Sequence, residues 1–368
     1  MRIALVVPGG VDPSAEYRVI PVLLALIRRL ASRHDVQVFA LAQQPQPARW
    51  ELLGAQVHNI GARATRLGAV RAIRAAHRGR AFDIIHAIWS GSPGLVAVAA
   101  ARLLGLPSLV HVAGGELVAL PAIAYGGRLT WRGRLREAAV LRAASGVSAA
   151  SGPMLAALAA LGLEARLVPL GVDLQCWPSR RPLPRAPGAR ARLIHVASLN
   201  RVKDQPTLLR ALVALREAGA DFELHVVGAD TLGGEIQALA RRLGLAGAIT
   251  FHGFVPQRQL RPLMAASDLL LMSSLHEAGP VVLQEAGAVG VPAVGTAVGR
   301  FADWAPQAAR VVPPGDAAAL AAEAAALLRD EPLRLRLAEA AYARALDENA
   351  DRTAHDFEAL YARLAARP

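Results

Sequence analysis

Short apolar runs alternate along the chain with longer stretches in which Ala, Leu and Arg recur at helical spacing. RIALVV from Arg2, DVQVFAL from Asp35, FDIIHAI from Phe82 and PSLVHVA from Pro107 have the length and β-branched content of buried strands. Between them, residues 19–31, 68–77 and 95–104 carry the period of helices. Parallel strands need crossover helices and are buried on both faces, so this repetition predicts an α/β fold with a parallel sheet covered by helices on either side. The pattern stops at the proline-rich stretch DLQCWPSRRPLPRAPGAR, residues 173–190, which reads as an interdomain linker. It resumes with ARLIHVASL, a helix over 208–218, FELHVVG, a helix over 235–243, AITFHGF, SDLLLMSS, a helix through Glu285, and VPAVGT. Beyond Asp316 only helical periodicity remains, and the segment from Asp351 is expected to cross back onto the first domain. Two domains follow: 1–175 together with 351–368, and 176–350.

Composition narrows the class. With 54% apolar and 19% charged residues the chain collapses rather than staying disordered. Arg102 and Glu285 interrupt its longest apolar runs below the roughly 18 residues of a membrane span. The start, MRIALVVPGG, is too short for a signal h-region and reads as a first strand. A single cysteine, Cys176, makes no internal disulfide and no sulfur-based metal site, which suits a cytoplasmic protein. Residues 1–175 carry 19 basic and 9 acidic side chains and residues 176–368 carry 22 and 20, so the net +12 falls as +10 and +2. The excess clusters at Arg63, Arg66, Arg71, Arg74, Arg78 and Arg80, and at Arg128, Arg132, Arg134, Arg136 and Arg142 beside Tyr125 and Trp131. Such a face is either solvated or drawn to an anionic surface, such as the inner face of the cell membrane. Nucleic acid is not expected, because 4% aromatic content leaves few stacking platforms and no recognition signature is present.

In open α/β sheets ligands bind beyond the carboxyl ends of the strands. No G-x-G-x-x-G follows a strand and no P-loop is present, so dehydrogenase and P-loop chemistry fall. The informative segment is SSLHEAGPVVLQEAGAVGVPAVGTAVG, residues 273–299, which sets Glu277 in a loop and Glu285 on the helix after it, with Pro280 suited to the first turn. Carboxylates there can accept paired sugar hydroxyls, but they are equally ordinary acidic residues favoured by the helix dipole. Spacing alone leaves both readings open.

The wider context is specific. E-x7-E followed by AGAVGVP, a Thr and a Val-Gly pair resembles the signature of family 4 (group 1) retaining glycosyltransferases. Gly9-Gly10, FDIIHA at Phe82, PLGVD at Pro169, VASLNRVKDQPTLLRAL at Val196, LHVVG at Leu224, ITFHGFV at Ile249 and PPGD at Pro313 stand in family order. The resemblance implies the GT-B fold, two Rossmann-like domains facing across a cleft. The first would bind acceptor and the second a nucleotide-diphosphate sugar, with no metal or cofactor. No D-x-D triplet is present. It implies transfer to a lipid-linked or polysaccharide acceptor. A catalytically impaired nucleotide-sugar-binding relative, or an epimerase or phosphorylase of the same fold, are the alternatives.

Residue by residue, the resemblance implies that Glu285 holds the donor ribose, Glu277 the sugar and Lys203 the pyrophosphate. Lys203 is the only lysine among 41 basic residues, and a compact ammonium suits a phosphate as a point charge. Ala278, Gly279, Val281 and Val282 would line the donor, and Gly9 and Gly10 would let the backbone approach a ligand. Three positions depart from the family. Ser198 stands where an arginine is usual, with Arg201 nearby as its replacement. Pro280 stands for a glycine and has no N–H to give. Ala113-Gly114-Gly115-Glu116 lacks the usual histidine, for which His111 is the substitute two residues earlier.

Overall fold

A computed structural model describes residues 1–63 and 65–366 and divides the chain into two compact units, Met1–Gly171 with Ala350–Pro368 and Val172–Asn349. In the first, the apolar run Arg2–Val7 is β1, flanked by β2 (Asp35–Ala40) and, after an antiparallel hairpin of β3 (Ala48–Leu52) and β4 (Ala55–Asn59), by β5 (Ile84–Ile88), β6 (Ser108–Val112), β7 (Gly146–Ala149) and β8 (Arg166–Leu167). The strand order is β3-β4-β2-β1-β5-β6-β7-β8, parallel except for the β3–β4 pair at one edge. Leu53 and Gly54 form the two-residue hairpin turn with φ of 52° and 85°, the double positive φ that matches strand twist. A leucine is a poor marker of that conformation, so the hairpin was absent from the sequence reading. Helices α1 (Pro21–Ala31), α2 (Thr65–Gly79), α3 (Ser92–Leu104), α4 (Trp131–Ala143) and α5 (Gly152–Ala159) cover the sheet.

The second unit has six strands, β9 (Ala191–Val196), β10 (Phe222–Val227), β11 (Ile249–Gly253), β12 (Leu269–Met272), β13 (Ala293–Thr296) and β14 (Arg310–Val312), all parallel in the order β11-β10-β9-β12-β13-β14. Its helices are α6 (Gln205–Glu217), α7 (Glu235–Arg242), α8 (Gln257–Ala265), α9 (Val281–Ala288), α10 (Arg300–Trp304), α11 (Ala317–Arg329) and α12 (Glu331–Asp347). Strand alternation splits the core in two. Leu193, Leu269 and Leu271 face one apolar layer, and Ile194, Leu270 and Met272 face the other. The chain leaves β9 toward β10 on one side and later returns to place β12 on the other, so the order in which strands are added reverses between β9 and β12. That reversal opens a crevice at their carboxyl ends.

One segment behaves differently from a simple reading of the pattern. The proline-rich stretch after Asp173 is no free linker. Trp177 is buried in the second unit's core, Arg180 N–H donates to the Ala288 carbonyl at 2.9 Å, and Arg185 N–H donates to Glu331 at 2.8 Å, so the stretch is a strap fixed to that unit. The last helix, α13 (Ala350–Ala365), belongs to the first unit. Thr353 Oγ1 accepts Gly171 N–H at 2.8 Å and donates to the Pro169 carbonyl at 2.7 Å, while Phe357 and Tyr361 are fully buried. Among the described residues no helix is long and apolar enough to cross a membrane.

Candidate active site

The crevice between β9 and β12 is built by two loops. After β9, Asn200 caps a single turn, Arg201–Lys203, its side chain accepting Lys203 N–H at 3.2 Å. Asp204, at φ 47°, then reverses the chain and caps α6. After β12, Leu275 N–H donates to the Val202 carbonyl at 2.8 Å and Ser273 Oγ donates to the Lys203 carbonyl at 2.8 Å, which binds the second loop to the first. The result joins residues 74 positions apart: Lys203 Nζ lies 2.5 Å from Glu277 Oε1, which also accepts Ser274 Oγ–H at 2.6 Å. Lys203 and Glu277 retain 22% and 11% side-chain exposure, so the pair is shielded but reachable. Gly299, at φ 52°, closes the loop from beneath. A Cβ there would lie 2.6 Å from the Glu277 carbonyl oxygen, so only glycine lets the backbone of 277–278 rest on it.

Pro280 is the N-cap residue, just outside the helix instead of in its first turn, and α9 begins at Val281. Val281 and Val282 therefore present the helix's leading N–H groups, and Ala278 is buried behind them. Glu285 lies a turn into α9, and among the described residues its buried carboxyl takes one hydrogen bond, 3.0 Å from Gln257 Nε2 at the start of α8. Burial without a compensating cation pushes its pKa up to about 8. Glu277 and Glu285 thus share one short segment but not one environment: the first is charge-paired, the second desolvated.

Behind the loops lies a residue the sequence reading passed over. His195, on β9 and fully buried, contacts the Leu271 carbonyl through Nδ1 at 2.8 Å and Gln205 Nε2 through Nε2 at 3.3 Å. Burial, and then the neighbouring Lys203 charge, lower its pKa to about 4. It is neutral, so Nδ1–H donates to Leu271 and Nε2 accepts from Gln205, whose amide also donates to the Ser198 carbonyl at 3.1 Å. This chain of polar contacts fixes the floor of the Lys203 loop. Gln205 stood inside the motif VASLNRVKDQP, and its place there was the one signal in the sequence, since its burial emerges only from the fold.

Several expected residues are placed elsewhere. Ser198 is exposed, and only its carbonyl is engaged in the loop. The Arg201 guanidinium points to Glu235 at 3.7 Å in a solvent-exposed pair instead of joining Lys203. In the first unit, Gly10 N–H donates to Gln43 Oε1 at 2.6 Å and Val11 N–H to the same oxygen at 3.0 Å. A Cβ at Gly10 would overlap Ile20 at a φ of 80°, so packing requires that glycine, whereas one at Gly9 would only press on the end of the Gln43 side chain at 3.3 Å.

His111 is corrected from a site residue to a core residue. It is fully buried, its Nδ1 lies 2.9 Å from Ser148 Oγ, and Phe357 of α13 meets its ring edge-on at 5.2 Å. Burial holds its pKa down at about 3. A ring with no exposed surface meets no sugar. We expect His111→Ala to lower unfolding free energy by about 1–3 kcal/mol in denaturant melts while turnover stays within twofold. A tenfold fall in turnover at unchanged stability would restore it to the site.

Residues 181–344 match the family model described as Glycosyl transferases group 1, and residues 19–172 match that described as Glycosyl transferase 4-like domain. EpsF of Bacillus subtilis (strain 168) is 36% identical over 138 residues, 36% of this chain and 35% of that protein. The D-inositol 3-phosphate glycosyltransferase of Arthrobacter sp. (strain FB24) is 30% identical over 142 residues, 36% of this chain and 34% of that protein. The matched part spans about a third of the length of these curated relatives. Among solved structures, sucrose-phosphate synthase from Thermosynechococcus elongatus superposes with a TM-score of 0.83 at 21% identity over 100% of both chains. HepE of Anabaena, in complex with UDP and glucose, gives 0.76 at 18% identity over 99% of this chain and 100% of that one. At such identities the likeness is one of fold, the GT-B fold with its two Rossmann-like units.

Proposed function

The chain belongs to the group 1 glycosyltransferases, and from that premise we propose that it transfers a sugar, with retention at the anomeric carbon, from a nucleotide-diphosphate sugar to an acceptor hydroxyl. One observation carries the reading: the single lysine of the chain meets Glu277 at the carboxyl ends of β9 and β12, eight residues before a buried Glu285 on the helix that follows. Lys203 and the N–H groups of Val281 and Val282 hold the pyrophosphate, Glu285 accepts the ribose hydroxyls, and Glu277 accepts hydroxyls of the transferred sugar. The bond from the anomeric carbon to the diphosphate oxygen breaks as the acceptor oxygen bonds the same face. The acceptor proton passes to the departing phosphate oxygen.

The charge developing on the diphosphate is met by Lys203 and by helix dipoles, which are fixed before the reaction. Transfer should therefore persist in EDTA, and an assay with UDP-glucose, the ligand named for one HepE structure, is the first to run. A strict requirement for added Mg²⁺ would overturn the metal-independent reading, and an inverted product anomer the retaining one.

For the acceptor we propose a lipid-linked or polysaccharide glycan met by the first unit at an anionic membrane surface. The support is α4, where Trp131 and Leu135 are 60% and 61% exposed and the Arg132 guanidinium stacks 5.3 Å from the Trp131 ring centre. An exposed aromatic and aliphatic pair among Arg128, Arg132, Arg134 and Arg136 suits a headgroup layer, with each basic residue adding about 1 kcal/mol. Replacing those four arginines with Gln should cut sedimentation with phosphatidylglycerol vesicles at least tenfold and leave UDP affinity unchanged. Equal sedimentation would return the face to solvent.

A further inference from the structure

A cavity of about 600 Å³ opens in the second unit at the amino ends of its strands, the opposite edge of the sheet from Lys203 and Glu277. Arg190 and Arg192 flank the start of β9, Glu223 lies near the start of β10, and Asp268 immediately precedes β12. The strap after Trp177 closes the other side and brings in Arg180, Arg181 and Arg185. With Arg334 of α12, six guanidinium groups face one hollow whose walls hold two carboxylates, Glu223 and Asp268. The whole segment 176–368 carries a net charge of only +2, so the concentration is local.

The partners of these arginines separate the structural from the available. Arg334 is buried and forked onto Glu331, and it also donates to the Leu183 and Asp268 carbonyls at 2.7 and 3.3 Å, which locks the strap to the floor. Arg192 pairs with Glu223 at 3.1 Å, Arg190 with Asp221 at 3.2 Å and Arg181 with Glu339 at 3.7 Å. Arg180 and Arg185 differ. Their guanidinium groups bond only backbone carbonyls, those of Ala265 at 3.1 Å and Leu328 at 2.6 Å, and among the described residues neither side chain pairs with a carboxylate. Arg185 also feels the Glu331 carboxylate and Asp268 lines the wall, so six guanidinium groups stand against five carboxylates, those of Glu223, Asp268, Asp221, Glu339 and Glu331, and the hollow keeps a small positive excess.

We infer that this cavity is a second ligand site, for a soluble phosphate ester of metabolite size. The volume falls in the range of small-molecule pockets. Guanidinium groups fork onto phosphate oxygens, and every basic residue lining the hollow is an arginine. Leu183, Val289 and Val291 supply an apolar wall for the rest of the ligand. Ligands of the proposed transfer reaction bind at the carboxyl ends of the strands, so this site is separate from them and does not rest on that reading.

The test is calorimetric titration of inorganic pyrophosphate into three proteins. The parent should bind at two classes of site. Lys203→Ala should lose one and keep the other. Arg180→Gln/Arg185→Gln should lose the one that Lys203→Ala keeps, with affinity down at least tenfold and the ligand-free melting temperature unchanged. Should that double variant melt early, Arg180→Gln alone, which gives up one bond to the Ala265 carbonyl, should still weaken binding at least threefold. Pyrophosphate binding to Lys203→Ala that survives the arginine substitutions intact would overturn the site. Pelleting with phosphatidylglycerol vesicles should be the same for parent and double variant, and a drop would reassign the anion to a lipid headgroup and overturn the soluble ligand.

Discussion

Glu285→Ala is expected to weaken nucleotide binding by about 2–4 kcal/mol, roughly thirtyfold to a thousandfold, because it removes the acceptor for two ribose hydroxyls in a dry setting. Gln257 Nε2 loses its 3.0 Å partner in the free and bound protein alike, so that loss falls on stability and not on affinity. The same carboxyl gives the binding a pH dependence whose sign is fixed by its burial. Its pKa in the free protein is raised to about 8, so at neutral pH it carries a proton. Accepting two hydroxyls favours the ionised form, so nucleotide binding should release that proton. Affinity should then rise about tenfold per pH unit from pH 6 toward pH 8 and level off above it. Glu285→Gln keeps one carbonyl acceptor but cannot ionise, so it should bind less tightly than the parent at pH 8 and show a flat profile. Calorimetry with UDP and GDP in buffers of different ionisation enthalpy reads both affinity and proton count. Unchanged affinity in Glu285→Ala would remove the ribose assignment, and a flat parent profile would remove the proton linkage.

What the sequence disclosed here was the position of Glu285, not its chemistry. An apolar run such as RIALVV announces a buried strand because every residue in it obeys one rule, and the same holds for the two apolar layers on either side of SDLLLM. The site depends on pairings across many positions: Gln257 under Glu285, Gln205 under His195, Lys203 against Glu277. No local pattern marks them. The histidine at 111 shows the opposite failure. Its place near a strand end made it a candidate, but α13 returns from the far end of the chain and covers it with Phe357. The proline-rich strap misled for a related reason: prolines mark an irregular path, and whether that path is free or fastened depends on distant partners such as Glu331.

The Lys203–Glu277 contact leads to the second large effect, one with opposite signs for binding and turnover. With no donor bound, the ammonium is held 2.5 Å from the carboxylate, so an arriving diphosphate must take Lys203 away from Glu277 and also enter beside a like charge. Under the proposed assignment, phosphates that take the lysine release Glu277 to accept hydroxyls of the sugar. Glu277→Gln keeps the shape and removes the charge. It should therefore tighten UDP or GDP binding about tenfold, a figure held to about 1–2 kcal/mol because the pair is partly solvated. The affinity of the bare nucleoside should not move, since it brings no phosphate to compete. Turnover should nevertheless fall at least a hundredfold, because an amide holds the sugar less well as charge develops at its anomeric carbon. Ser274→Ala offers a graded check: it frees one bond to Glu277 Oε1 without altering charge, so it should lower turnover modestly and leave diphosphate affinity near the parent's. If Glu277→Gln binds diphosphate no better than the parent while the nucleoside is unaffected, Lys203 is not exchanged between carboxylate and phosphate. The pyrophosphate would then have to be held by the leading N–H groups of α9 alone.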